Sequence, residues 1–134
     1  MSGFCSHAFS AAVLEGLRTK LTSKMSECIK DADDCLIWGG AKHESGYGLI
    51  WVNVTCLAGK VFHQNVRVHR LAYFLFVANG ESIEDAISHM CHKKLCYNIG
   101  HLSLEPSAIN NQRSNCKFRG QCCGHGTYAP CILK

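Results

Sequence analysis

The chain has 134 residues, of which 47% are hydrophobic and 18% charged, and its formal net charge is +4. This length is typical of a single globular domain with its own core, and no apolar run is long enough to cross a membrane. The N-terminal segment has no basic stretch followed by an apolar core, so we expect no secretory signal and an intracellular protein without a membrane partner.

The first quarter of the chain, residues 1–34, is predicted to be mainly helical. Apolar side chains recur at spacings of three and four from Phe9 to Ile29, which is typical of an amphipathic helix over residues 9–30. Ser10 is its candidate N-cap, because a serine oxygen can accept a hydrogen bond from a free N–H in the first turn.

Residues 35–80 are predicted to form a small antiparallel sheet and a buried helix. Short apolar or alternating runs at 35–38, 49–55 and 61–68 predict three strands. The run HRLAYFLFV at 69–77 is strongly apolar and predicts a buried helix that ends at Asn79-Gly80. A second helix is expected to begin at 82–85, where acidic side chains follow a serine. The predicted fold class is therefore α+β, with both halves in one domain over residues 1–134.

Cysteine and histidine are concentrated near the C-terminus. Six of the ten cysteines and four of the eight histidines lie within 88–131. Without a secretory signal, this pattern favours metal binding over the alternative of a disulfide-rich secreted protein. From His89 onward there are six lysines or arginines and one acidic residue, Glu105, which indicates a polyanionic partner.

The spacing suits two zinc ions, each with four cysteine or histidine ligands. The first set takes its fourth ligand from the N-terminal half, with Cys35 preferred and Cys56 as the alternative: Cys91, Cys96, His101 and Cys35. The second set lies within sixteen residues and leaves two adjacent cysteines as alternatives: Cys116, Cys122 or Cys123, His125 and Cys131.

His89 is needed by neither zinc set. A neutral imidazole can act as a base near neutral pH, whereas the simpler interpretation is a histidine that is merely buried or exposed. A purely structural zinc protein would require neither His89 nor Asn110.

Pro106 suits the first turn of a short helix over residues 106–114, with Glu105 or Ser103 as its cap. Asn110, Asn111 and Arg113 would lie on this helix. An asparagine side chain offers an amide oxygen to a hard cation such as Mg²⁺, although surface polarity would account for the asparagines equally well.

These motifs resemble the His-Cys box of intron-encoded homing endonucleases, a branch of the ββα-metal (His-Me finger) nucleases. The strings that carry the resemblance are Ser88-His-Met-Cys-His92, Cys96-Tyr-Asn98 and Gly100-His-Leu102. Upstream, Gly46-Tyr-Gly48 and Val68-His-Arg-Leu-Ala-Tyr73 resemble the segment that precedes the site in HNH-type endonucleases. The resemblance extends over residues 35–131.

The resemblance implies an endonuclease that cleaves double-stranded DNA with Mg²⁺ or Mn²⁺ and leaves 5′-phosphate and 3′-hydroxyl ends. It also implies homing-type site recognition by an antiparallel sheet in the major groove, and a nuclear location in a eukaryote. A homodimer is left open. The alternative is a zinc-stabilised module that binds nucleic acid without catalysis.

The resemblance also implies roles for individual residues. His89 is the general base and Asn110 binds the catalytic metal. Arg67 is the preferred contact to the scissile phosphate, with Lys60 and Arg70 as alternatives, and Arg113 is included among the catalytic residues. The implied zinc ligands are Cys35, Cys91, Cys96 and His101 in the first site and Cys116, Cys123, His125 and Cys131 in the second.

Overall fold

The computed structural model describes residues 4–25, 28–122 and 124–132. Helices and short antiparallel strands alternate along these segments, so the α+β prediction is confirmed. The helices are α1 (Ala11–Met25), α2 (Val68–Phe76) and α3 (Ser107–Arg119). The strands are β1 (Ile29–Lys30), β2 (Leu36–Ile37), β3 (Leu49–Thr55), β4 (Val61–Arg67), β5 (Ala86–His89) and β6 (Leu102–Glu105). None of the described helices combines the length and the apolarity needed to span a bilayer.

The strands pair as three separate hairpins, so the prediction of one sheet in the N-terminal half is wrong. β1 pairs with β2, β3 with β4, and β5 with β6. The long hairpin runs in register from Leu49 opposite Arg67 to Thr55 opposite Val61. β2 does not join it, because Ile37 forms a bridge to Cys96 and Tyr97 donates its N–H to the Leu36 carbonyl at 3.0 Å. The β2 strand therefore forms hydrogen bonds with the cysteine-rich C-terminal half of the chain and not with the β3–β4 hairpin.

The core lies between α1, α2 and the inner face of the β3–β4 hairpin. Leu21, Phe74 and Leu75 are completely buried, as the strongly apolar run of α2 predicts. Aromatic rings from three parts of the chain meet there: Phe4, Phe9, Phe62 and Phe74 have ring centroids 4.9–6.3 Å apart. Burial of this kind stabilises the fold by about 1.5–3 kcal/mol for each large apolar side chain.

Ser10 caps α1, since the Val13 N–H donates to its Oγ at 3.3 Å. The helix ends at Met25, however, and the prediction that it continues to residue 30 is wrong. Ile29 instead pairs with Ile37 in the β1–β2 hairpin. The Asp31 carboxylate closes the turn by accepting the Cys35 N–H at 3.0 Å, and this local bonding overrides the helical spacing of the apolar residues.

The helix predicted to begin at residues 82–85 does not form. This segment is extended and leads into β5. Ile83 donates its N–H to the Cys5 carbonyl at 2.7 Å, and the Asp85 carbonyl accepts from Arg70 at 3.1 Å. Tertiary hydrogen bonds thus satisfy backbone groups that a helix would have paired.

The predicted helix at 106–114 is confirmed as part of the longer α3. Its N-cap is Pro106 without a side-chain cap, so the prediction of Glu105 or Ser103 as cap is wrong. Both residues belong to β6, where Ser103 donates to the Glu105 carboxylate at 2.9 Å. The helix ends at Arg119 because Gly120 adopts a left-handed conformation with φ 72°, which favours glycine.

Candidate active site and metal centres

β5, β6 and α3 form a ββα unit that carries the chemistry-bearing residues. His89 is the last residue of β5, opposite Leu102 of β6. The preceding residue, Ser88, is buried and donates its hydroxyl to Asn110 Oδ1 on α3 at 2.8 Å. The hairpin and the helix are therefore joined by a hydrogen bond directly beside His89.

A cleft of about 170 Å³ opens between the hairpin and α3. It contains both residues that the sequence singles out for catalysis, together with several cations: Tyr47, His89, His92, Lys94, Asn110, Arg113, Ser114 and Lys117 line it. Among these lining residues there is no carboxylate. The cleft therefore favours an anionic ligand such as a phosphate.

The two ring nitrogens of His89 have the contacts expected of a neutral imidazole that can accept a proton. Its ring donates to the Cys96 carbonyl, and its buried Nε2 has no hydrogen-bond partner among the described residues. Burial, the main cause, together with the charges of His92 and Arg67, lowers the pKa of His89 to about 4. The bond to Cys96 assigns the proton to Nδ1, which leaves the lone pair on Nε2.

His69 on α2 supports the ring of His89, and the sequence analysis did not single it out. It is buried, its ring centroid lies 4.2 Å from that of His89, and it stacks on Tyr47 at 5.4 Å. Its ring also donates to the carbonyl of Ile87 in β5. Burial holds the pKa of His69 well below its usual value. The signal in the sequence was a histidine inside an otherwise apolar run.

Arg67 is the one of the three basic candidates that lies beside the cleft. Its guanidinium carbon is 4.2 Å from the ring centroid of Tyr47, and its charge acts on His89. Arg70 donates to the Asp85 carbonyl instead, and Lys60 lies 5.2 Å from the ring centroid of Phe62.

Lys94 is a second cation at the cleft that the sequence analysis missed. Its Nζ lies 5.1 Å from the ring centroid of Tyr47 and donates to the Ser45 carbonyl at 2.8 Å. Tyr47 thus holds two cations near His89.

Arg113 is buried with only 2% of its surface exposed, and it forms a bidentate ion pair with the equally buried Glu105. The N···O distances are 2.5 and 2.9 Å. Its remaining donors contact the Ala129 carbonyl at 2.8 Å and Cys131 Sγ at 3.4 Å. Because its guanidinium is engaged on all sides, we interpret Arg113 as a structural residue that joins β6, α3 and the C-terminal loop, and not as a phosphate contact.

Replacing Arg113 by leucine is expected to destabilise the fold by about 3–5 kcal/mol, because it leaves the Glu105 carboxylate buried and unpaired. Urea unfolding of the zinc-loaded protein measures this. The double variant Arg113→Leu/Glu105→Leu removes both charges and should recover part of the loss. A stable Arg113→Leu variant that has lost only DNA cleavage would instead indicate a catalytic arginine.

The first Cys/His cluster joins the N-terminal half to the loop between β5 and β6. Its four ligand atoms lie within 4.8 Å of one another: those of Cys35, Cys91, Cys96 and His101. His101 Nδ1 is 3.5 Å from the sulfur of Cys35 and 3.6 Å from that of Cys96. Ordinary Zn–S and Zn–N bonds at the tetrahedral angle place these atoms about 3.5 Å apart. Cys56, the alternative ligand, is buried in the apolar core and is not in the cluster.

The second cluster lies after α3 and has the same composition: Cys116, Cys122, His125 and Cys131. His125 Nε2 is 3.4–3.6 Å from the three sulfurs, which again fits tetrahedral zinc. Cys122 takes the position for which the resemblance favoured Cys123, and Cys123 lies outside the described residues. His125 Nδ1 is 3.1 Å from Gln112 Oε1, an outer contact that orients the ring towards the ion.

Both clusters could hold structural zinc ions. Residues 35–132 match the family described as the zinc-binding loop region of homing endonuclease. Over 80 residues the chain is 31% identical to Protein 7.7 of Escherichia phage T7, a match that covers 60% of this chain and 54% of that protein. The chain thus spans about half the length of this curated relative. None of the solved structures matches it. Because the family match includes both clusters, His89 and Asn110, the chain belongs to the homing-endonuclease family defined by this zinc-binding loop, a nuclease family of the His-Cys box type.

Proposed function

We propose that this protein is a metal-dependent endonuclease that hydrolyses phosphodiester bonds in double-stranded DNA, with homing-type recognition of its site. The observation that carries the proposal is one cationic cleft that contains both a neutral, unpartnered imidazole nitrogen and an asparagine amide oxygen.

In this proposal His89 takes the proton from the attacking water. Its Nε2 carries the lone pair, while the bond from Nδ1 to the Cys96 carbonyl fixes the orientation of the ring. Contacts with His69 and Tyr47 further restrict the ring. A positioned base of this kind contributes about 10²- to 10⁴-fold to a reaction rate.

The cleft fits Mg²⁺ or Mn²⁺ through Asn110. Its Oδ1 accepts one hydrogen bond from Ser88, and a carbonyl oxygen has a second lone pair for a hard cation. When bound, such an ion would stabilise the negative charge that develops on the phosphate and on the leaving oxygen. Since no carboxylate lines the cleft, the remaining oxygen ligands would be water and the phosphate itself.

Arg67 and Lys94 are proposed to hold phosphates on either side of the scissile bond. Both side chains contact the ring of Tyr47. The two zinc clusters serve only as structural sites, because four protein ligands leave no position for water.

The outer face of the β3–β4 hairpin is proposed to read base edges. Burial alternates along both strands except at the exposed Gln64, so that one face packs largely on the core and the other is exposed. The exposed face offers amide, hydroxyl, imidazole and guanidinium groups and no carboxylate: Trp51, Asn53, Thr55, His63, Asn65 and Arg67. A two-stranded ribbon fits the major groove of B-DNA, where such groups distinguish the base pairs.

The alternative function is a zinc-stabilised module that binds nucleic acid without cutting it. One observation favours it: Asn110 Oδ1 already accepts the Ser88 hydroxyl, which gives the asparagine a structural partner.

Cleavage of supercoiled plasmid distinguishes an endonuclease from a module that only binds nucleic acid. The native protein is expected to nick or linearise it with Mg²⁺ and not with EDTA, and DNA ligase should reseal the nicks if the ends are 5′-phosphate and 3′-hydroxyl. Absence of cutting by a folded, zinc-loaded chain, both on plasmid and on a random DNA library, would contradict the nuclease proposal.

Asn110→Ala is expected to lower the Mg²⁺-dependent cleavage rate by about 100-fold or more, since metal stabilisation of transition-state charge is worth several kcal/mol. The matched control is Asn111→Ala, which removes the neighbouring, exposed asparagine of the same helix. Equal rates for the two variants would exclude Asn110 as the metal ligand.

A further inference from the structure

Phe118 is an unusual side chain for the surface of a small protein. It lies in the last turn of α3 and is 93% exposed, more than any other large hydrophobic side chain that the structure describes. The next most exposed are Leu57 at 68% and Ile29 at 67%. Because its ring is almost entirely exposed, Phe118 contributes little to the core and is free to contact a ligand.

Phe118 is not one of the residues that line the cleft, but it follows one of them, Lys117, on α3. Asn110, Ser114 and Lys117 line the cleft from one face of α3. Successive residues of a helix are about 100° apart, so Phe118 lies on the flank of that face, directly beside Lys117. The cleft and the phenyl ring are thus within reach of a single extended ligand.

The chemistry around Phe118 is cationic and polar. Lys117 and Arg119 flank it in the sequence, and α3 contains no acidic residue. The exposed Asn111 and Asn115 occupy the same side of the helix. A protein partner would more typically meet a wider apolar patch, whereas a ligand that is both anionic and aromatic matches one phenyl ring between two cations.

We propose that Phe118 inserts at a base step of the DNA duplex held in the cleft and stacks on a nucleobase there, with Lys117 binding a flanking phosphate. This inference rests on the proposed function, because it takes DNA as the occupant of the cleft. Such an insertion suits a phenyl ring because apolar side chains, phenylalanine among them, insert between the base steps of a duplex and partly unstack them. Phe118 would thus strengthen binding without specifying a base.

The test measures affinity for a fluorescein-labelled, random-sequence DNA duplex, with Ca²⁺ in place of Mg²⁺ so that the duplex stays intact. Phe118→Ala is expected to weaken binding about 5- to 150-fold, the range found for loss of one base–aromatic stack. Phe118→Trp should bind at least as tightly as the native chain. Ile29→Ala, which removes an exposed apolar side chain from β1, is the matched control and should bind like the native chain.

The dependence of affinity on salt separates stacking from phosphate contact. Phe118→Ala should leave the slope of log affinity against log salt unchanged, whereas Lys117→Ala should reduce it by about one. A reduced slope for Phe118→Ala would overturn the assignment of stacking.

Each remaining outcome is also decisive. If Phe118→Ala binds like a native chain that cuts plasmid DNA, the inference is wrong and the nuclease function stands. If the native chain neither binds nor cuts DNA, both are wrong. If Phe118→Ala keeps its affinity for DNA but sedimentation shows that it has lost self-association, Phe118 belongs to an interface between two copies, and the inference is again wrong.

Discussion

Replacing His89 by alanine is expected to reduce plasmid cleavage by about 10²- to 10⁴-fold, the range for loss of a general base. The imidazole Nε2 has no other partner among the described residues, so its removal leaves no broken hydrogen bond at that atom. DNA affinity and zinc content should therefore stay close to native. Initial rates of supercoiled-plasmid loss at saturating protein and Mg²⁺ measure the effect on the chemical step.

The matched control for His89 is His43→Ala. His43 is exposed, and its ring contacts Ser45 outside the cleft. It should cut at the native rate. A His89→Ala variant that keeps zinc, binds DNA and still cuts at more than a tenth of the native rate would rule out His89 as the base.

Replacing Cys96 by serine is expected to remove one of two zinc ions and to unfold most of the chain at ambient temperature. Cys96 is completely buried in the first cluster. Structural zinc contributes about 10–16 kcal/mol in small zinc peptides, whereas a whole domain is stable by only about 5–15 kcal/mol. Loss of this zinc ion therefore removes a stabilising free energy as large as the whole free energy of unfolding of a domain.

The effect of Cys96→Ser should also reach the active site, because the Cys96 carbonyl accepts the hydrogen bond that orients His89. Zinc per chain by atomic absorption and thermal unfolding by circular dichroism measure the two consequences. Cys28→Ser is the matched control: Cys28 lies outside both clusters, and its thiol contacts the Lys24 carbonyl at 3.5 Å and the side chain of Tyr97. Native stability in Cys96→Ser would show that this cluster does not bind a structural ion.

The sequence by itself predicted the elements whose signals are local. Burial alternates along the β3–β4 hairpin except at the exposed Gln64, and α2 is a strongly apolar segment, so both were predicted to within about one residue. The spacing of cysteine and histidine near the C-terminus predicted two metal clusters, because ligands close in the chain are close in space. Cys35 is distant in the chain from the other ligands of its cluster, so the choice between Cys35 and Cys56 needed the tertiary structure.

Predictions failed where long-range hydrogen bonds compete with local preference. The acidic segment before β5 looks like a helix start, yet Cys5 and Arg70 bind its backbone and keep it extended. The periodicity that continues past Met25 is interrupted by pairing of Ile29 with Ile37. Neither contact can be predicted from the neighbouring residues in the sequence.

The tertiary structure alone decided what surrounds the candidate base. His69 and Tyr47 are 20 and 42 residues away from His89 along the chain, yet their rings contact it. Arg113 likewise has a residue type that suits phosphate, but burial against Glu105 commits it to a structural ion pair. Residue type and spacing therefore determine which groups could act, whereas burial and packing determine which of them have a free lone pair, a free charge or neither.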